Sequence, residues 1–85
     1  MNFVTSVRCV GGYRLEVTFK DGLQGVIDLE KELYGEVFAP LKDQAFFQRV
    51  KVDSERDTIV WPNDVDLAPE FLYSEVLKSN GLKVA

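Results

Sequence analysis

Histidine is absent from this 85-residue sequence, and cysteine occurs once. Histidine is the commonest general base near neutral pH, the usual partner of a nucleophilic Ser or Cys, and the commonest zinc ligand. Its absence removes most hydrolytic triads and the histidine zinc sites. A single cysteine cannot close an internal disulfide, and it cannot build a multi-cysteine zinc site either. A lone thiol suits a reducing compartment, so a cytoplasmic location is the expectation. No apolar run approaches the ~20 residues that a membrane helix needs. The opening "MNFVTSVRCV" lacks the basic start and long apolar stretch of a secretory signal. A phosphate-cradling glycine loop is missing too, because "VGGYR" at 10–14 has neither the spacing nor the following helix. Internal repeats and low-complexity segments are also absent.

What is present is a globular composition: 46% hydrophobic, 12% aromatic and 28% charged. The length allows one small domain, expected over residues 1–80, with a loose tail over 81–85. Charge is uneven. Residues 1–20 carry a net +2, whereas residues 53–75 carry seven carboxylates against Arg56 alone, a net −6. Phosphate backbones repel such a surface, so autonomous nucleic-acid binding is not expected. A basic protein partner or a cation suits it, as does a merely solvated acidic face.

Residues 3–10, "FVTSVRCV", read as a first strand, with Cys9 a small core hydrophobe on its less polar face. Gly11 and Gly12 make a turn. In "YRLEVTFK" (13–20), Tyr13, Leu15, Val17 and Phe19 alternate strictly with polar residues, as a half-buried strand requires. "DG" at 21–22 then signals a hairpin into "LQGVIDL" (23–29). A two-residue loop would place Ile27 and Leu29 on the polar face. A three-residue loop, Lys20–Asp21–Gly22, pairs Phe19 with Leu23, Leu15 with Ile27 and Arg14 with Asp28. The apolar pattern selects the latter, with Gly22 left-handed in a bulge.

Glu30 to Leu33 suit a helical turn broken by Gly35, and "LKDQAFFQRV" after Pro40 suits a short helix. "VKVD" (50–53) and "TIVW" (58–61) are strands around the polar turn "SERD". Residues 69–79 form a C-terminal helix: Pro69 fits its first turn, Glu70 its positive end, and Lys78 with Gly81 its stop. The fold expected is α+β. An antiparallel meander over 3–29 joins a second hairpin over 50–61, and the 69–79 helix packs on the sheet.

The candidate site is "IVWPNDVDLAPE" (59–70), which holds the only Trp and two of three prolines. Locally it is a corner: Pro62 ends the strand, Asn63 and Asp64 suit a turn, and Asp66 is the expected helix-capping side chain. Functionally, two readings stand. Trp61 and Tyr73 would anchor a protein interface rimmed by Asn63, Asp64, Asp66 and Glu70. Alternatively, Asn63, Asp64 and Asp66 would offer oxygen ligands to calcium or magnesium, for binding or metal-assisted hydrolysis.

"YRLEVTFKDG", "VIDL", "VFAPLKDQAFFQRVKVD" and "TIVWPNDVDLAPEFLY" follow, in order, the pattern of the bacterial family called domain of unknown function 2442. The resemblance covers roughly residues 4–74 and is most specific at the Trp-Pro-Asn stretch. Family members usually have Gly after it, where this chain has Asp64. The resemblance implies a small α+β domain without known catalytic residues, extended in some members by a DNA-binding helix-turn-helix that this sequence does not include. It also implies a two-protein arrangement of the toxin–antitoxin sort. Together these readings give a non-catalytic, partner-binding protein with no cofactor as the expectation, and the cation site as its alternative.

Overall fold

A computed structural model describes residues 2–81; of the tail expected over 81–85, all but Gly81 lies outside the described residues. Three antiparallel strands, β1 (Val4–Gly11), β2 (Arg14–Phe19) and β3 (Gln24–Asp28), form a sheet in that order. A second hairpin, β4 (Lys51–Asp53) and β5 (Thr58–Val60), forms a separate two-stranded sheet lying against β1. Between the sheets run a 3₁₀ turn at Glu30–Glu32, another at Ala39–Lys42, and the single-turn helix α1 (Gln44–Phe47). Helix α2 (Pro69–Ser79) packs on β3 and β2. The α+β class and the order of elements are as the sequence led us to expect.

The register of β2 and β3 follows the apolar pattern. Arg14 faces Asp28 and Leu15 faces Ile27, while the Phe19 amide donates to the Leu23 carbonyl at 2.8 Å. Gly22 sits at φ 93°, the left-handed conformation that closes this three-residue loop. Leu15, Val17, Phe19, Ile27 and Leu29 are all buried.

β1 departs from simple alternation. Val4 pairs with Phe19, but Ser6 pairs with Thr18, so Thr5 is an extra residue. That bulge shifts the inward parity: Val4 is buried, and beyond it Val7 and Cys9 pack against the core from the opposite parity. Cys9 is half-buried at the core margin.

The outer edge of β3 is capped by α2 and its C-terminal residues. On β3 the carbonyls of Gln24 and Val26 point away from β2. Asn80 Nδ2 donates to the first at 3.0 Å, and Ser79 Oγ to the second at 2.6 Å. Gly25 makes this approach possible, since a Cβ there would lie 2.9 Å from Val76 Cγ1. The core between sheet, hairpin and helix is closed by Leu41, Phe47, Ile59, Trp61, Leu72 and Val76, each 1% exposed or less.

Candidate functional site

The stretch 59–70 folds back on itself. The Asp64 amide donates to the Trp61 carbonyl at 2.9 Å, closing a turn with Pro62 and Asn63 at its centre. Pro62 suits the first central position because its φ is preset. Asp64 follows at φ 70°, left-handed, and the Trp61 amide then donates to the Val65 carbonyl at 2.9 Å. Val60 bridges Asp66, so residues 65–67 return antiparallel along β5. The buried Thr58 hydroxyl donates to the Leu67 carbonyl at 2.6 Å. This return lies along the edge of β5 away from β4, and Thr58, Ile59 and Val60 are all buried.

Trp61 is 1% exposed, which corrects the expectation of an exposed aromatic anchor. Its indole Nε1 donates to the Phe47 carbonyl at 2.9 Å, and its ring lies 5.7 Å from that of Phe47. Tyr13 packs edge-on against Phe47 as well. A buried indole needs a partner for its N–H, and the C-terminal end of α1 supplies one.

The acidic residues converge on the chain's own cation. Arg56, in the β4–β5 turn, bonds Asp64 Oδ1 through Nη2 and the Asp64 carbonyl through Nη1 at 3.3 Å. Nη1 also meets Asp66 Oδ2 at 3.4 Å, and Nε meets Asp53 Oδ2 at 3.5 Å. The bond to Asp64, before any other influence, raises the pKa of an already permanently charged guanidinium. Three carboxylates of the −6 segment therefore face one internal positive charge. Among the described residues, no group of three or more Cys, Asp or Glu is placed to hold a metal ion. A divalent ion at Asp64 and Asp66 would have to displace the guanidinium.

Asp66 is not the helix cap. Ala68 occupies the N-cap of α2 without a side-chain bond, and Asp66 is spent on Arg56. Asn63 is exposed in the turn, its Oδ1 accepting from the Val65 amide at 3.4 Å. Glu70, in the first turn of α2, lines a hollow of about 290 Å³ together with Arg56 and Asp57. Tyr73 lies elsewhere: its ring packs on Phe19 at 4.9 Å, and its hydroxyl donates to Asp21 in the β2–β3 turn. That bond holds the Asp21 carboxyl below its ordinary range and pushes the Tyr73 phenol up. The structure thus brings Asp64 and Asp66 to Arg56, with Glu70 on the same hollow, Asn63 exposed in the adjoining turn, Trp61 buried in the core and Tyr73 committed to another turn.

The large hydrophobics left outside are different ones. After the 3₁₀ turn at 30–32 buries Leu33, Gly35 at φ 83° turns the chain, and Leu41 re-enters the core. Between these anchors Tyr34 is 70% exposed and Val37 63%. Glu32 precedes them by two residues and Glu36 lies between them in sequence. The sequence offered a signal here: a Gly-Glu pair between an aromatic and an aliphatic residue, outside any periodic segment.

The fold and corner define a small α+β domain whose acidic turn is closed by an internal guanidinium. The sequence profile of the protein of unknown function family DUF2442 matches residues 4–77, and the chain belongs to that family. No curated protein and no solved structure matches it. No helix among the described residues is long and apolar enough to cross a membrane.

Proposed function

We propose that this chain is a non-catalytic protein-interaction module whose contact surface is the 33–38 loop, with Tyr34 and Val37 as anchors. The observation that carries this reading is the exposure of those two side chains, the most exposed large hydrophobics among the described residues, with Val26 next at 37%. Interfaces centre on aromatic and aliphatic anchors with a polar rim. Here Glu36 between the anchors and Glu32 ahead of them supply negative charge, which suits a basic surface on the partner. The acidic corner at 63–66 has a structural account that needs no ligand, so it is a supporting element in this reading and not the contact.

The test is capture from lysate of the source organism at physiological salt, comparing wild type with Tyr34→Ser/Val37→Ser and with Asp64→Asn/Asp66→Asn. The first double variant should lose a near-stoichiometric partner and the second should keep it. Equal capture by all three proteins would overturn the assignment of the loop.

A further inference from the structure

The opposite edge of the sheet is open where β3's is capped. Even-numbered residues of β2 turn their backbone groups toward β1, as the 2.8 Å bond from the Lys20 amide to the Phe3 carbonyl shows. Ser6 and Arg8, facing Thr18 and Glu16, are therefore the ladder partners of β2. Val7 and Cys9 point their N–H and C=O groups the other way. At the near end of the strand this outer edge is occupied, because the Val4 amide donates to the Asp57 carbonyl at 3.0 Å. Further along, no backbone bond among the described residues engages Val7 or Cys9. They line instead an open trench of about 500 Å³, with Arg8 and Gly11 on the same wall and Gln48 and Val50 on the other.

From Val7 to Cys9 the edge is regular and runs about 7 Å at ~3.3 Å per residue, room for about three extended residues before the register shift between Cys9 and Gly11. The rim is basic in an acidic chain. The Arg8 side chain is 69% exposed, and Arg14 Nη2 lies 3.4 Å from where a Cβ on Gly11 would stand. Arg49 and Lys51 are exposed beside Gln48 and Val50. Against these four cations stand Glu16, bonded to Arg8 at 3.1 Å, and Asp28, opposite Arg14.

From this geometry we infer that the outer edge of β1 binds an extended acidic segment of a partner protein by strand addition. Main-chain bonds to Val7 and Cys9 supply the affinity, and side chains of alternating direction supply the specificity. On the inward face the added strand meets Val7, Cys9 and Val50, so its residues there are small and apolar. On the outward face it runs beside Arg8 and Arg14, so its residues there are Asp or Glu. This inference stands independently of the 33–38 loop.

The experiment uses the ¹⁵N-labelled 85-residue chain and two capped heptapeptides, one alternating Glu and Val, the other Lys and Val. In the free protein, the Val7 and Cys9 amides should exchange with solvent at least tenfold faster than those of Ser6 and Arg8. Millimolar Glu/Val peptide should shift both amides and slow their exchange tenfold or more, while the Lys/Val peptide does neither. Arg8→Glu/Arg14→Glu should reverse the preference. Cys9→Pro, which removes an outward donor and leaves the β2 ladder whole, should abolish binding of either peptide. Unshifted Val7 and Cys9 amides, or equal response to the two peptides, would overturn the proposal. Concentration-dependent protection of Val7 and Cys9 without peptide would also overturn it, by showing that a second copy fills the edge.

Discussion

Arg56 holds Asp64 twice, through its carboxylate and through its backbone carbonyl, and so ties the β4–β5 turn to the turn that follows β5. The two turns are eight residues apart and would otherwise project separately. Removing Arg56 leaves Asp53, Asp64 and Asp66 facing one another. Arg56→Gln should therefore lower the melting temperature at low ionic strength. The loss should shrink in 1 M salt, where like charges are screened within about 3 Å. The same variant should respond to millimolar calcium more than wild type does, as read by shifts of the Asp64 and Asp66 amides.

Asp64 occupies a left-handed position at φ 70°. Gly takes that conformation freely, Asp tolerates it, and a β-branched residue does not. Asp64→Val should cost about 1–2 kcal/mol of unfolding free energy by this argument. Asp64→Gly relieves the backbone and loses an exposed ion pair, so it should stay within about 1 kcal/mol of wild type. Urea denaturation of the two variants checks the contrast.

The Tyr73–Asp21 bond has a defined pH window. The folded-state pKa of Asp21 lies below its ordinary 3.8, so its contribution is present above that value and is lost as pH falls through the folded pKa. Tyr73 is raised above its ordinary 10.0, so its contribution is complete below that value and is lost as pH rises through the folded pKa. Tyr73→Phe should therefore melt lower than wild type at pH 7, and the difference should vanish in strong acid.

Gly25 lets α2 reach the edge of β3. A methyl group at that position meets Val76 Cγ1 at 2.9 Å and Asn80 Oδ1 at 3.0 Å. Gly25→Ala should cost about 1–3 kcal/mol through overpacking. Adding Val76→Ala should recover part of that loss, and the double-mutant cycle in urea reads the coupling.

Much of the fold was legible because period-2 alternation in residues 13–29 leaves one acceptable register. A one-residue slip would have exposed Ile27 and Leu29. The helix at 69–79 was legible from Pro69, Glu70 and the Leu72–Val76 stripe. The bulge at Thr5 was not, because an extra residue on an edge strand leaves no mark on its side chain. The corner was legible as a corner from Pro62, Asn63 and Asp64. The burial of Trp61 was not legible, because residues 65–67 and α1 cover it only in three dimensions. Arg56 was visible as the one cation in a −6 stretch, but its partners lie across two turns whose pairing no local pattern reports.

The central claim is that the 59–70 stretch is a structural corner and that the 33–38 loop makes the contact. Hydrogen–deuterium exchange on the protein free and in its captured complex tests this most directly. The account predicts new protection over residues 33–38 and unchanged exchange at Asn63 to Asp66. New protection at Asn63 to Asp66 with none over 33–38 would contradict it.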